Sequence, residues 1–73
     1  MRMYYVYILK NNNDFYIGYT EDLVRRLREH HSGRGDGLIY YEAYLNKKSA
    51  VQRENKLKNY GSAWRALKKR MSA

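Results

Sequence analysis

The run Met3-Tyr-Tyr-Val-Tyr-Ile-Leu9 is almost wholly aromatic and β-branched, and it predicts a strand. Met3, Tyr5, Tyr7 and Leu9 would share one face, with Tyr4, Val6 and Ile8 on the other. The polar cluster Asn11–Asp14 suits a turn, because short Asx side chains bond their own backbone and tolerate left-handed geometry. Phe15–Tyr19 predicts a second short strand, completing a hairpin, with Tyr16 and Gly18 facing one way and Phe15, Ile17 and Tyr19 the other. The period then changes from two to 3.6. Over 21–31, Leu23, Val24 and Leu27 form the apolar stripe of a helix, with Thr20 as its cap and Glu21 and Asp22 in its first turn. The glycines of Ser32–Gly37 mark a loop, and Leu38–Leu45 predicts a third strand. Asn46 is placed to cap a second helix over 47–59, which Gly61 would close. Ser62 would cap a last helix over 63–70. Ala63, Trp64, Ala66 and Leu67 lie on one side of it, and Arg65, Lys68, Lys69 and Arg70 on the other. The order is ββαβαα. The expected class is α+β: one small domain over 1–73, with a three-stranded antiparallel sheet flanked by helices.

Several polar residues break this pattern. Ala50, Val51 and Leu57 should share a face of the second helix, and Glu54 falls in the middle of it, at i+4 and i+3 from the first two. A carboxylate there needs a partner or a metal ion, or a solvated edge, and Lys58 at i+4 is one available partner. In the first helix Arg25 should point to solvent. Arg26 and His30, four residues apart, stack along the edge of the stripe. A guanidinium beside an imidazole suits a phosphate clamp with an acid/base group. A surface Arg and a helix C-terminal His satisfy the same spacing. His31 reads as a loop residue. Gly18 inside a strand lets another group approach the backbone closely, while core packing is the common role for any single Tyr.

Charge sharpens the picture. The chain of 73 residues carries a formal net charge of +8, and residues 1–46 are neutral. All of the excess falls in 47–73, where Glu54 is the one acid. Such a surface suits nucleic acid. Lys56, Lys58, Arg65, Lys68 and Lys69 are the candidate contacts for backbone phosphates, without sequence preference. The chain has no Cys, which excludes disulfides, a thiolate nucleophile and cysteine–zinc sites. No apolar run approaches the ~18 residues of a membrane span, and no signal-peptide layout is present. A cytoplasmic location is therefore expected, with no membrane partner. Nine Tyr, each with an apolar body and a polar tip, suit a small core whose edge is also a working surface.

The outliers coincide with a known arrangement. Tyr5-Val-Tyr7, Tyr16-Ile-Gly18, the helix motif Asp22–His30 and the second-helix motif Ala50–Lys58 resemble those of the GIY-YIG nuclease domain, in particular its small stand-alone UPF0213-like members. The resemblance runs from Met3 to about Lys69. Tyr5 stands where the first motif has Gly, and the segment Ser32–Gly37 is shorter than in relatives of this type. The resemblance implies metal-dependent hydrolysis of a phosphodiester. It assigns Tyr7 to the neighbourhood of the attacking water and Tyr16 and Arg26 to the scissile phosphate. It further assigns His30 to proton transfer or to support of the Tyr, and Glu54 to a single divalent cation, Mg²⁺ or Mn²⁺. These five residues should converge on one concave surface. Two functions follow: an endonuclease acting on DNA, or a nucleic-acid-binding module that keeps the fold and basic helices with little or no activity. A protein partner or dimer stays open at this point.

Overall fold

A computed structural model describes residues 2–12, 14–30 and 37–71; the side chains of Asn11 and His30 lie outside that description. The elements are β1 (Tyr4–Asn11), β2 (Asp14–Thr20), α1 (Leu23–His30), β3 (Gly37–Tyr44), α2 (Lys47–Asn59) and α3 (Gly61–Met71). The expected ββαβαα order and α+β class are therefore observed. Both pairings are antiparallel and the sheet order is β2-β1-β3. The Tyr-rich β1 is the central strand, which explains why it carries the least polar run of the chain. Val6, Tyr7, Ile8 and Leu9 are all buried.

The hairpin turns where the Asx cluster predicts. Asn11 pairs with Asp14, and Asn12 adopts φ 55°, a conformation that Asn tolerates better than most residues. On one face of the sheet Val6 and Ile8 join Ala50 and Leu57 of α2 and Leu67 of α3 in a core. Phe15 meets Trp64 edge-on there, with ring centroids 5.2 Å apart. The other face carries Tyr7, and α1 lies on that side.

Local chemistry moves several boundaries. Asp22, not Thr20, caps α1: its Oδ1 accepts from Arg25 N at 3.0 Å and its carbonyl from Arg26 N at 3.1 Å. Thr20 Oγ1 accepts from Asp22 N instead, turning the chain one step earlier. Val24 leaves the expected apolar stripe and is 62% exposed, while Leu23 and Leu27 are half-buried. Asn46 does cap α2, its Oδ1 accepting from Lys48 N at 2.8 Å and Ser49 N at 3.3 Å. Gly61 does not close α2. Extended Tyr60 does so, donating to Lys56 O, and its own carbonyl then receives Ala63 N and Trp64 N at the start of α3. Ser62 is thus inside α3, and Ala66 is exposed instead of packed. Gly37 belongs to β3, while His31 and the rest of the glycine loop lie outside the described residues.

The second helix is fastened to β3 by charge. Glu42, opposite Val6 on the core face, accepts from Tyr40 Oη at 2.6 Å, Tyr44 Oη at 2.5 Å and Arg53 Nε at 3.0 Å. Arg53 Nη2 adds a second contact at 3.1 Å, making the pair a fork. Burial alone would raise the Glu42 carboxyl, but hydrogen bonds from Arg53, Tyr40 and Tyr44 outweigh it and hold it below the usual 4.5. The Tyr44 hydroxyl is pushed up to about 12, by burial first and by its bond to Glu42 second.

Glu42→Gln should destabilise the protein by ~1–3 kcal/mol at pH 7, because the substitution leaves the Arg53 charge without its carboxylate. The pair is most effective with Glu42 ionised. Its depressed pKa means this stability is present above pH 4.5 and is lost as pH falls through the lower folded value. Urea melts of both proteins from pH 7 to pH 3 should therefore converge towards acid, and a constant gap would contradict the assignment.

Candidate active site

Tyr7 on β1 pairs with Gly18 on β2, and the phenol lies across that glycine. A Cβ at position 18 would overlap Tyr7 Cζ and Oη and come within 2.9 Å of Cε1. The missing side chain is what lets the ring lie flat and brings its hydroxyl towards α1. There Arg26 Nε donates to Tyr7 Oη at 2.8 Å, and Arg26 Nη2 donates to Tyr16 Oη at 3.4 Å. The Tyr7 and Tyr16 rings are 6.1 Å apart and inclined at 37°. Glu29, one turn on, sits 3.6 Å from Arg26 Nη1. The Tyr7 side chain is fully buried, whereas Tyr16 is 45% exposed. The cluster thus has a sealed floor and an open rim. A cavity of about 380 Å³ opens beside it, lined by Thr20, Asp22, Arg25, Arg26 and Glu29.

Electrostatics fix the charge states. Hydrogen bonds to Tyr7 and then to Tyr16 raise the Arg26 pKa further, so it remains a cation. Burial raises the Tyr7 hydroxyl above 10.0 and outweighs the opposing bond from Arg26, so at neutral pH the phenol keeps its proton. The result is a permanently charged guanidinium braced from below by a neutral phenol and flanked by a second phenol at the surface.

Glu54 stands outside that hydrogen-bonded cluster, on α2. Its side chain is only 18% exposed and pairs with Lys58 Nζ at 3.1 Å, the i+4 partner that spacing allowed. Lys58 also lines a groove of about 530 Å³ together with Asp14, Tyr16, Leu57 and Trp64. One lysine therefore touches the Glu54 carboxylate and shares a concavity with Tyr16. His30 ends α1, but its side chain is outside the described residues. Of the basic residues, Lys56, Arg65 and Lys69 are exposed, and Lys68 lies over the Phe15 ring with Nζ 5.4 Å from the centroid. No group of three or more His, Asp or Glu gathers among the described residues. Glu54 is a lone carboxylate, the type of ligand that a hard cation keeping most of its waters takes, although Lys58 already stands against it.

The close approach read at Gly18 is there, and the group that makes it is Tyr7. Sequence reasoning passed over the partner of Arg53, next to Glu54, which is Glu42. Glu42 was detectable as an acid alternating with Tyr40 and Tyr44 on a face otherwise made of apolar residues.

The sequence matches the family model of the GIY-YIG catalytic domain over residues 3–69. The chain belongs to the GIY-YIG family. Domains of this family are generally endonucleases. This GIY-YIG domain is 34% identical to a UPF0213 protein of Haloquadratum walsbyi, over 78% of this chain and 75% of that one. It is 39% identical to a UPF0213 protein of Clostridium perfringens, over 77% and 71%. The solution NMR structure of UPF0213 protein BH0048 from Bacillus halodurans superposes with a TM-score of 0.61 at 29% identity. That superposition covers 89% of this chain and 80% of the other. No helix among the described residues is long and apolar enough to cross a membrane.

Gly18→Ala should cost ~1–3 kcal/mol, since the new methyl must push the Tyr7 ring off the strand. The same displacement should break the Arg26 bond. Thermal melts read the first effect. Tyr fluorescence or the NMR signal of the Arg26 Nε–H reads the second. An alanine variant with unchanged stability and an unshifted Arg26 signal would show that the ring does not depend on that space.

Proposed function

We propose that this GIY-YIG domain is an endonuclease that hydrolyses phosphodiester bonds of DNA with a single divalent cation. The observation that carries this reading is the hydrogen-bonded set Tyr7, Arg26 and Tyr16, an anchored guanidinium presented at an open rim. A fork of N–H donors matches a phosphoryl group, and its anchoring means little reorganisation as charge builds on the phosphate. In this reading Arg26 receives the phosphate, exchanging its long contacts to Tyr16 and Glu29 for phosphate oxygens. It keeps the short bond to Tyr7. Tyr16, half exposed at the same rim, donates to a second phosphate oxygen.

Tyr7 orients Arg26 from beneath and lies near the attacking water. Its raised pKa makes the neutral phenol the resting form, and extra positive charge in the site is needed before it can take a proton. His30, at the end of the helix that carries Arg26, supports that proton transfer. Glu54 would hold the cation. When bound, the cation supplies stabilisation of the leaving oxygen and lowers the pKa of bound water. Lys56, Lys58, Arg65, Lys68 and Lys69 attract the backbone through a salt-sensitive, sequence-independent field. The exposed positions of Lys56, Arg65 and Lys69 on α2 and α3 support that role.

The test is cleavage of labelled single-stranded, duplex and branched DNA in Mg²⁺ or Mn²⁺. Arg26→Lys, which keeps the charge but loses the fork, and Glu54→Gln should each lower the rate by ~10²-fold or more. Tyr7→Phe should lower it while the fold is kept. Undiminished cleavage by Glu54→Gln would remove the metal assignment. Salt-sensitive binding with no cleavage of any substrate would leave a binding module.

A further inference from the structure

We propose that Lys58 is a built-in counter-ion for Glu54, which a divalent cation must displace in order to bind, so that Lys58 sets the metal affinity of the site. The inference rests on the reading of Glu54 as the metal-holding carboxylate. Lys58 Nζ lies 3.1 Å from Glu54 Oε2, and Lys58 is the one partner that Glu54 has among the described residues. The two groups are not equally mobile. Glu54 is 18% exposed and shares its helical side with the buried Ala50 and Leu57, so its carboxylate is held in place. Lys58 is 47% exposed, and its ammonium rides on a flexible four-carbon stem. In a competition for the carboxylate it is the ammonium that moves. It has somewhere to go, because Lys58 already lines the groove that contains Tyr16.

Coulomb repulsion forces the exchange. A divalent ion and an ammonium within a few ångströms of one carboxylate repel each other, and even in a water-like dielectric this weakens binding by ~10-fold. The same repulsion is screened by salt. The i to i+4 spacing, Glu preceding Lys, is the favourable orientation on a helix, so the resting ion pair forms without outside help.

Mn²⁺ binding to the full chain without nucleic acid tests this, read by electron paramagnetic resonance of the unbound ion or by calorimetry. Lys58→Met and Lys58→Gln should bind Mn²⁺ ~10-fold more tightly than the wild type at low salt, with the gain shrinking as salt rises. Lys58→Arg, which keeps the charge, should bind as the wild type does. Glu54→Gln should bind far more weakly. If binding depends on Glu54 but ignores Lys58→Met and Lys58→Gln, this inference is overturned and the metal assignment stands. If Glu54→Gln binds Mn²⁺ as tightly as the wild type, the metal assignment fails and the inference falls with it.

Discussion

The site depends on one close approach, the Tyr7 ring lying on the backbone of Gly18. Any side chain at position 18 would occupy the space of the Tyr7 hydroxyl and the ring carbon that bears it. Because that space is empty, a residue in the central strand can extend sideways over its neighbour, and its oxygen emerges beneath α1. Arg26 then finds a fixed acceptor at 2.8 Å, and Tyr16, two residues before the glycine on the same face, completes the rim. Three elements are tied together at one guanidinium. The short α1, with little apolar surface of its own, is located by that bond as much as by Leu23 and Leu27.

A second fastening acts on the opposite face of the sheet. Glu42 accepts from two phenols and a guanidinium, so its charge is compensated although its side chain is 16% exposed. The network sets how α2 is rotated about its own axis. Arg53 turns towards β3, and Glu54, about 100° further round, turns away from it, to where Lys58 and the groove shared with Tyr16 lie. The two faces of the sheet therefore present different groups of the proposed site: a bonded guanidinium from one and a carboxylate from the other. The edge strand β2 carries the residue that borders both, Tyr16.

Strand and helix order were legible because each element has a clean period, and Tyr7, Tyr16 and Arg26 were legible as motif residues. The caps were not. Thr20 and Asp22 are both good capping residues two positions apart, and only the backbone path decides that Asp22 serves α1. Gly61 looked like a helix terminator by composition, yet it opens α3, because Tyr60 can leave helical geometry without a left-handed residue. Val24 and Ala66 fitted the stripes of their helices and are nevertheless exposed. Glu54 was legible as an anomaly, but its spacing suits an ion pair and a metal site equally, and the structure forms the ion pair with Lys58. Glu42 was visible beside Tyr40 and Tyr44, but its bond to Arg53 was hidden because that partner lies across the strand-to-helix connection.

Tyr60 has a consequence for how charge is presented. A single extended residue, Tyr60, separates α2 from α3. The exposed bases of α2 and α3 therefore sit on two adjoining helices, whose relative phase is held by the packing of Leu57 and Leu67 in the shared core. One residue more or fewer at this junction would shift the basic side of α3 relative to that of α2. With an uncharged residue the net charge would stay the same, but the spacing between the rows of charge that a polyanion meets would change.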